Sequence, residues 1–133
     1  WQVFSKRADQ KHYIENLEIY PVHNDEFVRS MATAEGVLCG AGFETPAEAL
    51  FLRKKLLVIP MKNQYEQHCN AAALKEMGVQ VMKGLKPKHL QRLHDWIQSS
   101  ETVQVNYPDL TEALVDKILS LHPHQKYRSA VSP

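Results

Sequence analysis

The apolar run Leu56-Leu57-Val58-Ile59 is the feature that most constrains how this chain can fold. A strand with no polar position is typical of a parallel sheet whose two faces are both covered by helices. Further strand-like runs occur at residues 1–4, 17–21, 37–39 and 79–82. Because segments with helical periodicity separate most of these runs, the sequence predicts right-handed βαβ units. The expected fold is therefore α/β, a parallel sheet flanked by helices.

The segments between the strands are predicted as one loop and five amphipathic helices. Residues 5–16 are polar and are expected to form the loop. The helices are expected to begin at Asp25, Thr45, Glu66, Pro87 and Asp109. The last two are each expected to have one apolar stripe, formed by Leu90, Leu93, Trp96 and Ile97 and by Leu110, Leu114, Ile118 and Leu121.

The length of 133 residues fits a single domain. We expect that domain to span residues 1–122, and a polar tail without a periodic pattern to follow over residues 123–133. Because the chain enters a strand-like run directly at Trp1, we interpret it as part of a longer protein.

The charges are balanced, with 16 Lys and Arg against 15 Asp and Glu. No basic stripe points to nucleic acid as a partner. Cys39 and Cys69 lie far apart within apolar or helical patterns, so reduced, buried thiols and a cytoplasmic location are expected. No apolar run has the length of a membrane span. No Asp-x-Asp pair is present to clamp a divalent ion, so neither a metal nor a cofactor is expected.

The segment from Gly40 to Leu50 is the strongest candidate for a binding site. It is predicted to be the end of a strand, a glycine turn and the start of a helix. Gly40 and Gly42 would permit positive φ and a close approach of a ligand to the backbone. Unpaired N–H groups and the positive end of the helix dipole would then meet at a point suited to a diphosphate. A tight connection that binds no ligand is the alternative.

Thr45-Pro46-Ala47-Glu48 fits a capping box, with Thr45 as the N-cap and Glu48 bonding back to its amide. Alternatively, the Glu48 carboxylate binds both hydroxyls of a ribose, because it offers paired acceptors. The two roles do not exclude each other.

Polar residues in two other loops are weaker candidates. Glu66 and Gln67 begin a helix after a polar loop, where they either complement the helix dipole or hydrogen-bond sugar hydroxyls. Asn70 is a third polar contact or a packing residue. His23 and Asn24 follow the second strand, as turn residues or as contacts to a nucleotide base. No Ser or Cys lies in a nucleophile context, so no catalytic residue is assigned.

Residues 35–72 resemble the donor-binding half of glycosyltransferases with the B-type fold, which consists of two facing Rossmann-like domains. The resemblance is greatest to family 28, the family of the N-acetylglucosaminyl transferase of peptidoglycan lipid synthesis. Three motifs carry it at a fairly specific spacing: Gly42-Phe43-Glu44-Thr45-Pro46-Ala47-Glu48, Leu56-Leu57-Val58-Ile59-Pro60, and Glu66-Gln67 followed by Asn70-Ala71.

The resemblance implies a Rossmann-like domain that binds a nucleotide sugar, by default a UDP-sugar, for hexosyl transfer to an acceptor hydroxyl. It also implies a role for each matching position. The diphosphate would be bound by Gly42, Glu44 and Thr45, the ribose by Glu48, the sugar by Glu66 and Gln67, and the base by Val22, His23 and Asn24.

The sequence departs from the family pattern at Glu44, where small or neutral residues are usual, and at Arg53, where glycine is common. The resemblance implies that the N-terminal acceptor domain, with its catalytic base, and the first strand of the sheet lie outside this sequence. The chain alone is therefore expected to bind donor without catalysis, and its exposed sheet edge could form a homo-oligomer. The acceptor is not identified. A nucleotide-sugar hydrolase or epimerase, and a non-catalytic α/β interaction module, stay open as alternatives.

Overall fold

The computed structural model describes residues 1–121, so the predicted tail lies outside the described residues. The described chain forms six strands, five α-helices and the 3-10 turn Pro87–His89. The strands are β1 (Gln2–Phe4), β2 (His12–Ile14), β3 (Leu17–Tyr20), β4 (Gly36–Cys39), β5 (Lys55–Val58) and β6 (Gln80–Val81). The helices are α1 (Asn24–Thr33), α2 (Glu44–Phe51), α3 (Tyr65–Glu76), α4 (Leu90–Gln98) and α5 (Thr111–Leu121).

The strands form two three-stranded sheets, in the orders β1-β3-β2 and β4-β5-β6. The second sheet is entirely parallel, as predicted, with Val37 opposite Leu56 and Val58 opposite Val81. The first sheet corrects the prediction of a loop over residues 5–16, because β2 lies within that segment and pairs antiparallel with β3. Two turn residues, Glu15 and Asn16, join these strands into a hairpin, and Glu15 has a φ of 50°.

Strand β5 lies at the centre of the core, which explains its fully apolar sequence. Leu56, Leu57 and Val58 are all buried. Leu56 and Val58 pack in one cluster with residues of α1, α2 and α3, whereas Leu57 packs on the opposite face with Met82 and Trp96 of α4. The parallel sheet is therefore covered by helices on both faces, with α1 to α3 on one side and α4 on the other.

The apolar stripes predicted for the last two helices are largely exposed in the structure. In α4 only Trp96 is buried, Leu93 packs partly against it, and Leu90 and Ile97 are exposed. In α5 no residue is buried, and the helix begins at Thr111 instead of Asp109, whose carboxylate accepts a hydrogen bond from the Thr111 N–H at 2.9 Å. Periodicity identified both helices but could not tell which apolar faces find a partner.

The β4–α2 turn and its support from α3

Helix α2 begins at Glu44, with Phe43 as its N-cap, so the capping box predicted at Thr45 is wrong. Thr45 is half-buried in the first turn of the helix, and Pro46 follows it as a buried residue. No side chain among the described residues caps this helix end. The Glu48 carboxylate is consequently not folded back onto the Thr45 amide, and its residue is exposed.

Helix α1 also differs from its predicted start, because it begins at Asn24 with His23 as the N-cap. Asp25 lies within the first turn, where its negative charge complements the helix dipole, instead of capping it.

The glycines of the β4–α2 turn do not use the positive φ that glycine permits. Positive φ occurs at Gly78 and Gly84 but not at Gly40 or Gly42. A Cβ at Gly40 would lie 3.4 Å from the Gln67 Oε1 atom, in ordinary van der Waals contact, whereas a Cβ at Gly42 would meet no described atom within 4 Å. Gly40 therefore lies directly against a side chain of α3, and Gly42 leaves the backbone of the turn open.

The side chain of Gln67 connects two loops that follow neighbouring parallel strands. Its Oε1 accepts the Ala41 N–H at 3.1 Å and the Met61 N–H at 3.0 Å. Its Nε2 donates to the Gln64 Oε1 at 2.7 Å. Ala41 lies in the turn after β4 and Met61 in the loop after β5, so one carboxamide fixes the distance between the two loops.

Asn70, one turn further along α3, supports the same residue, Ala41, through the next peptide group. Its Nδ2 donates to the Ala41 carbonyl oxygen at 3.1 Å. The side chain of Ala41 is fully buried, and both its backbone N–H and its carbonyl are bonded to side chains of α3. The β4–α2 turn is therefore held by two side chains in addition to the chain connection itself.

The other predicted site residues lie in separate parts of the structure. Glu66 lies in the first turn of α3, is exposed, and complements the dipole of that helix. Val22 is exposed, and His23 and Asn24 line a pocket of about 360 Å³ with two acidic residues of α1. Gly42 and Glu48 do not line that pocket, so the residues assigned to the base and to the ribose do not share a concavity.

Gly42 and Glu48 instead line a larger groove of about 820 Å³. Its walls come from α1, α2, α3 and residues 105–107, and they are largely apolar. Arg53, which replaces the glycine usual in the family pattern, also lines it and has a φ of 54°. Glu66 and Gln67 do not line the groove, so it contains only part of the predicted site.

The sequence analysis did not predict that Gln67 accepts hydrogen bonds from the backbone of Ala41 and Met61. Gln64 and Gln67 are spaced three residues apart, which allows their side chains to meet. This spacing was visible in the sequence, but only the pairing of β4 with β5 shows that both loops lie within reach of one side chain.

The two thiols are free, as predicted, but only one is shielded. Cys39 is half-buried and Cys69 is exposed, so the prediction of burial is wrong for Cys69. Burial raises the pKa of the Cys39 thiol to about 12.

Within residues 1–121, no group of three or more His, Cys, Asp or Glu side chains is arranged to hold a metal ion. In the same part of the chain, no helix is both long and apolar enough to cross a membrane.

Comparison with known proteins agrees with this architecture at the level of the family. The profile described as glycosyl transferase family 1 matches residues 2–99, well over half of the chain. No curated protein and no solved structure gives a significant match. The matched residues contain both sheets, the β4–α2 turn and the loop after β5. With its parallel sheet flanked by helices and this match, the chain belongs to glycosyl transferase family 1, a family whose name denotes sugar transfer.

Proposed function

We propose that the chain binds a nucleotide sugar, a UDP-sugar by resemblance, as the donor part of an enzyme that transfers a hexosyl group to an acceptor hydroxyl. One observation carries the proposal. Among the described residues no side chain caps the first turn of α2, while the turn before this helix is held by hydrogen bonds from Gln67 and Asn70 of α3. Uncapped N–H groups on a rigid support are a suitable site for an anion.

The diphosphate is assigned to the backbone of Gly42, Glu44 and Thr45. The absence of a Cβ at Gly42 leaves the open space that a phosphate needs. The N-terminal end of the α2 dipole adds a favourable interaction with negative charge. The Glu44 side chain is exposed, so water screens its repulsion of the diphosphate.

The ribose is assigned to Glu48. This carboxylate is not used as a helix cap, and it accepts no hydrogen bond from a side chain or a backbone N–H among the described residues. It lies one turn beyond the proposed diphosphate position on the same helix. Both of its oxygens are therefore available to a pair of vicinal hydroxyls.

The transferred sugar is assigned to Glu66 and Gln67, and the base to Val22, His23 and Asn24. Glu66 is exposed at the start of α3, and Gln67 retains one Nε2 hydrogen that is not used in its bond to Gln64. The base assignment rests on the resemblance and on the small pocket that His23 and Asn24 line.

In the proposed reaction, the acceptor oxygen bonds to the anomeric carbon of the sugar while the bond from that carbon to the diphosphate breaks. The proton of the acceptor hydroxyl passes to a base in an acceptor domain, which we place outside this sequence. The N–H groups and the dipole of α2 stabilise the negative charge that develops on the leaving diphosphate. We further propose that the chain is related to family 28 and that it is located in the cytoplasm.

The test is a calorimetric titration of the chain with UDP and with UDP-N-acetylglucosamine. Glu48→Gln is expected to weaken binding of both by about 1–3 kcal/mol, because a charged hydrogen-bond partner of the ribose is lost. Glu112→Gln, an exposed change in α5, serves as the matched control and should bind like the wild type. A folded wild-type chain that binds neither nucleotide would contradict the proposal and favour a non-catalytic interaction module.

A further inference from the structure

Gln67 lies where its side chain can act on the diphosphate site separately from its proposed contact with the sugar. Its Oε1 accepts N–H groups from two different loops, Ala41 after β4 and Met61 after β5. Carbonyl oxygens have two lone pairs, so both are used in this arrangement. The Nε2 bond to Gln64 then fixes the orientation of the carboxamide. No other side chain among residues 1–121 bonds to the backbone of both loops.

We propose that Gln67 is a positioning residue that couples the β4–α2 turn to the β5–α3 loop and so sets the diphosphate site in its binding geometry. The effect on the donor rests on the proposed function, whereas the coupling of the two loops rests on the hydrogen bonds alone. In this role the acceptor oxygen of Gln67 is the essential atom, and its effect reaches the nucleoside diphosphate even when no sugar is present.

The surroundings of Gln67 support a positioning role over a contact with sugar alone. Gly40 lies directly against its carboxamide, because a Cβ there would be 3.4 Å from Oε1, in van der Waals contact. Asn70 bonds the carbonyl oxygen of Ala41, so the peptide groups on both sides of Ala41 are held by side chains of α3. A side chain with only a sugar to contact would not need this arrangement of partners in the protein itself.

The first experiment measures amide hydrogen exchange of Ala41 and Met61 in the full chain. The Met61 hydrogen bond is exposed, so its exchange reports directly on that bond. Gln67→Ala is expected to speed exchange at both amides. Gln67→Glu keeps an acceptor and should restore protection. Glu76→Ala, an exposed change at the far end of α3, is the control and should leave both amides protected. Unchanged exchange at Ala41 and Met61 in Gln67→Ala would overturn the proposed coupling of the two loops.

The second experiment compares UDP, which has no sugar, with UDP-N-acetylglucosamine. Gln67→Ala is expected to weaken binding of UDP by about three- to tenfold, the effect of one or two hydrogen bonds that position the site. An unchanged UDP affinity with a weaker UDP-sugar affinity would overturn the positioning role and make Gln67 a sugar ligand only.

The two experiments separate this inference from the proposed function. If the wild type does not bind UDP, the proposed donor site fails, and the exchange data alone still decide whether Gln67 couples the loops. If Gln67→Ala does not fold, Gln67→Glu provides both measurements. Because this variant retains an acceptor oxygen, loss of protection at Ala41 and Met61 in it would overturn the proposed coupling of the two loops.

Discussion

Gly40 and Gly42 lie two residues apart in one turn, yet a methyl group added at each would meet different surroundings. At Gly40 it would approach the Gln67 carboxamide, and at Gly42 it would project into open space. A ligand in that space would meet the added methyl group at Gly42 and not at Gly40. The two substitutions therefore separate an effect on the protein from an effect on a ligand.

We predict that Gly42→Ala leaves the free energy of unfolding within about 0.5 kcal/mol of wild type, because no protein atom is crowded. The same substitution should weaken UDP binding, because the methyl group occupies the approach to the backbone. Chemical denaturation and calorimetric titration measure the two quantities. Wild-type affinity in Gly42→Ala would place the diphosphate elsewhere.

The two cysteines should differ in their reactivity towards iodoacetamide near pH 8. The thiolate is the reactive form, and burial raises the pKa of Cys39 to about 12, so it should stay unmodified in the folded chain. Cys69 is exposed and should be alkylated. Mass spectrometry of the intact chain should show one modification, which Cys69→Ser abolishes. Rapid labelling of Cys39 in that variant would contradict its burial.

At the scale of the elements, the end of α3 is determined locally by Gly78. This glycine has a φ of 95°, the Val79 N–H bonds to the Leu74 carbonyl and the Gly78 N–H bonds to that of Lys75, which together form a Schellman-type cap. The start of α2 was predicted wrongly, because Phe43 precedes the helix in place of a side-chain cap. A glycine that needs positive φ acts locally, whereas the start of α2 depends on the packing of Pro46 in the core.

Gly78→Ala is expected to destabilise the fold by about 1 kcal/mol, because a residue with a Cβ is strained at positive φ. The nearest atom to the added Cβ, the Val103 Cγ2, lies at 3.7 Å, so strain and not a clash causes the loss. Thermal denaturation measures it, with Gly42→Ala as the control without positive φ. Equal stability of the two variants would contradict this explanation.

The start of α5 should depend on pH through Asp109. Hydrogen bonds from the Thr111 hydroxyl and backbone N–H lower the pKa of this carboxyl. A lowered pKa in the folded state stabilises the helix start above the unfolded pKa of about 3.9, and the contribution is lost as the pH falls through the folded value. Amide exchange at Thr111, corrected for its intrinsic pH dependence, should lose protection on acidification in wild type but not in Asp109→Asn.

At the scale of the whole molecule, the six strands within residues 1–121 form two sheets where the sequence predicts one. Helix α1 connects β3 of the first sheet to β4 of the second, and the Phe4 ring packs edge-on against Phe27 of α1 with centroids 5.2 Å apart. Strands β1 and β4 each pair with a single neighbour, and the four residues of β4 are only half-buried. An unpaired strand edge is a surface on which a further strand can pair.

We predict that the chain self-associates through such an edge as its concentration rises. Val3→Lys places a charge on β1, where Val3 is 37% exposed, and should reduce association measured by sedimentation velocity. Val115→Lys in the exposed α5 is the matched control and should have no effect. The reverse result would assign the contact to the apolar face of α5.

The sequence by itself determined the α/β class, the buried strand β5 and the family motifs, because these depend on apolar periodicity and on spacing along the chain. Only the tertiary structure decided which faces are covered, since the periodic stripe of α5 has no partner among the described residues while Trp96 of α4 does. It also decided the role of Gln67, because its two backbone partners are 26 and 6 residues away and meet only when β4 pairs with β5.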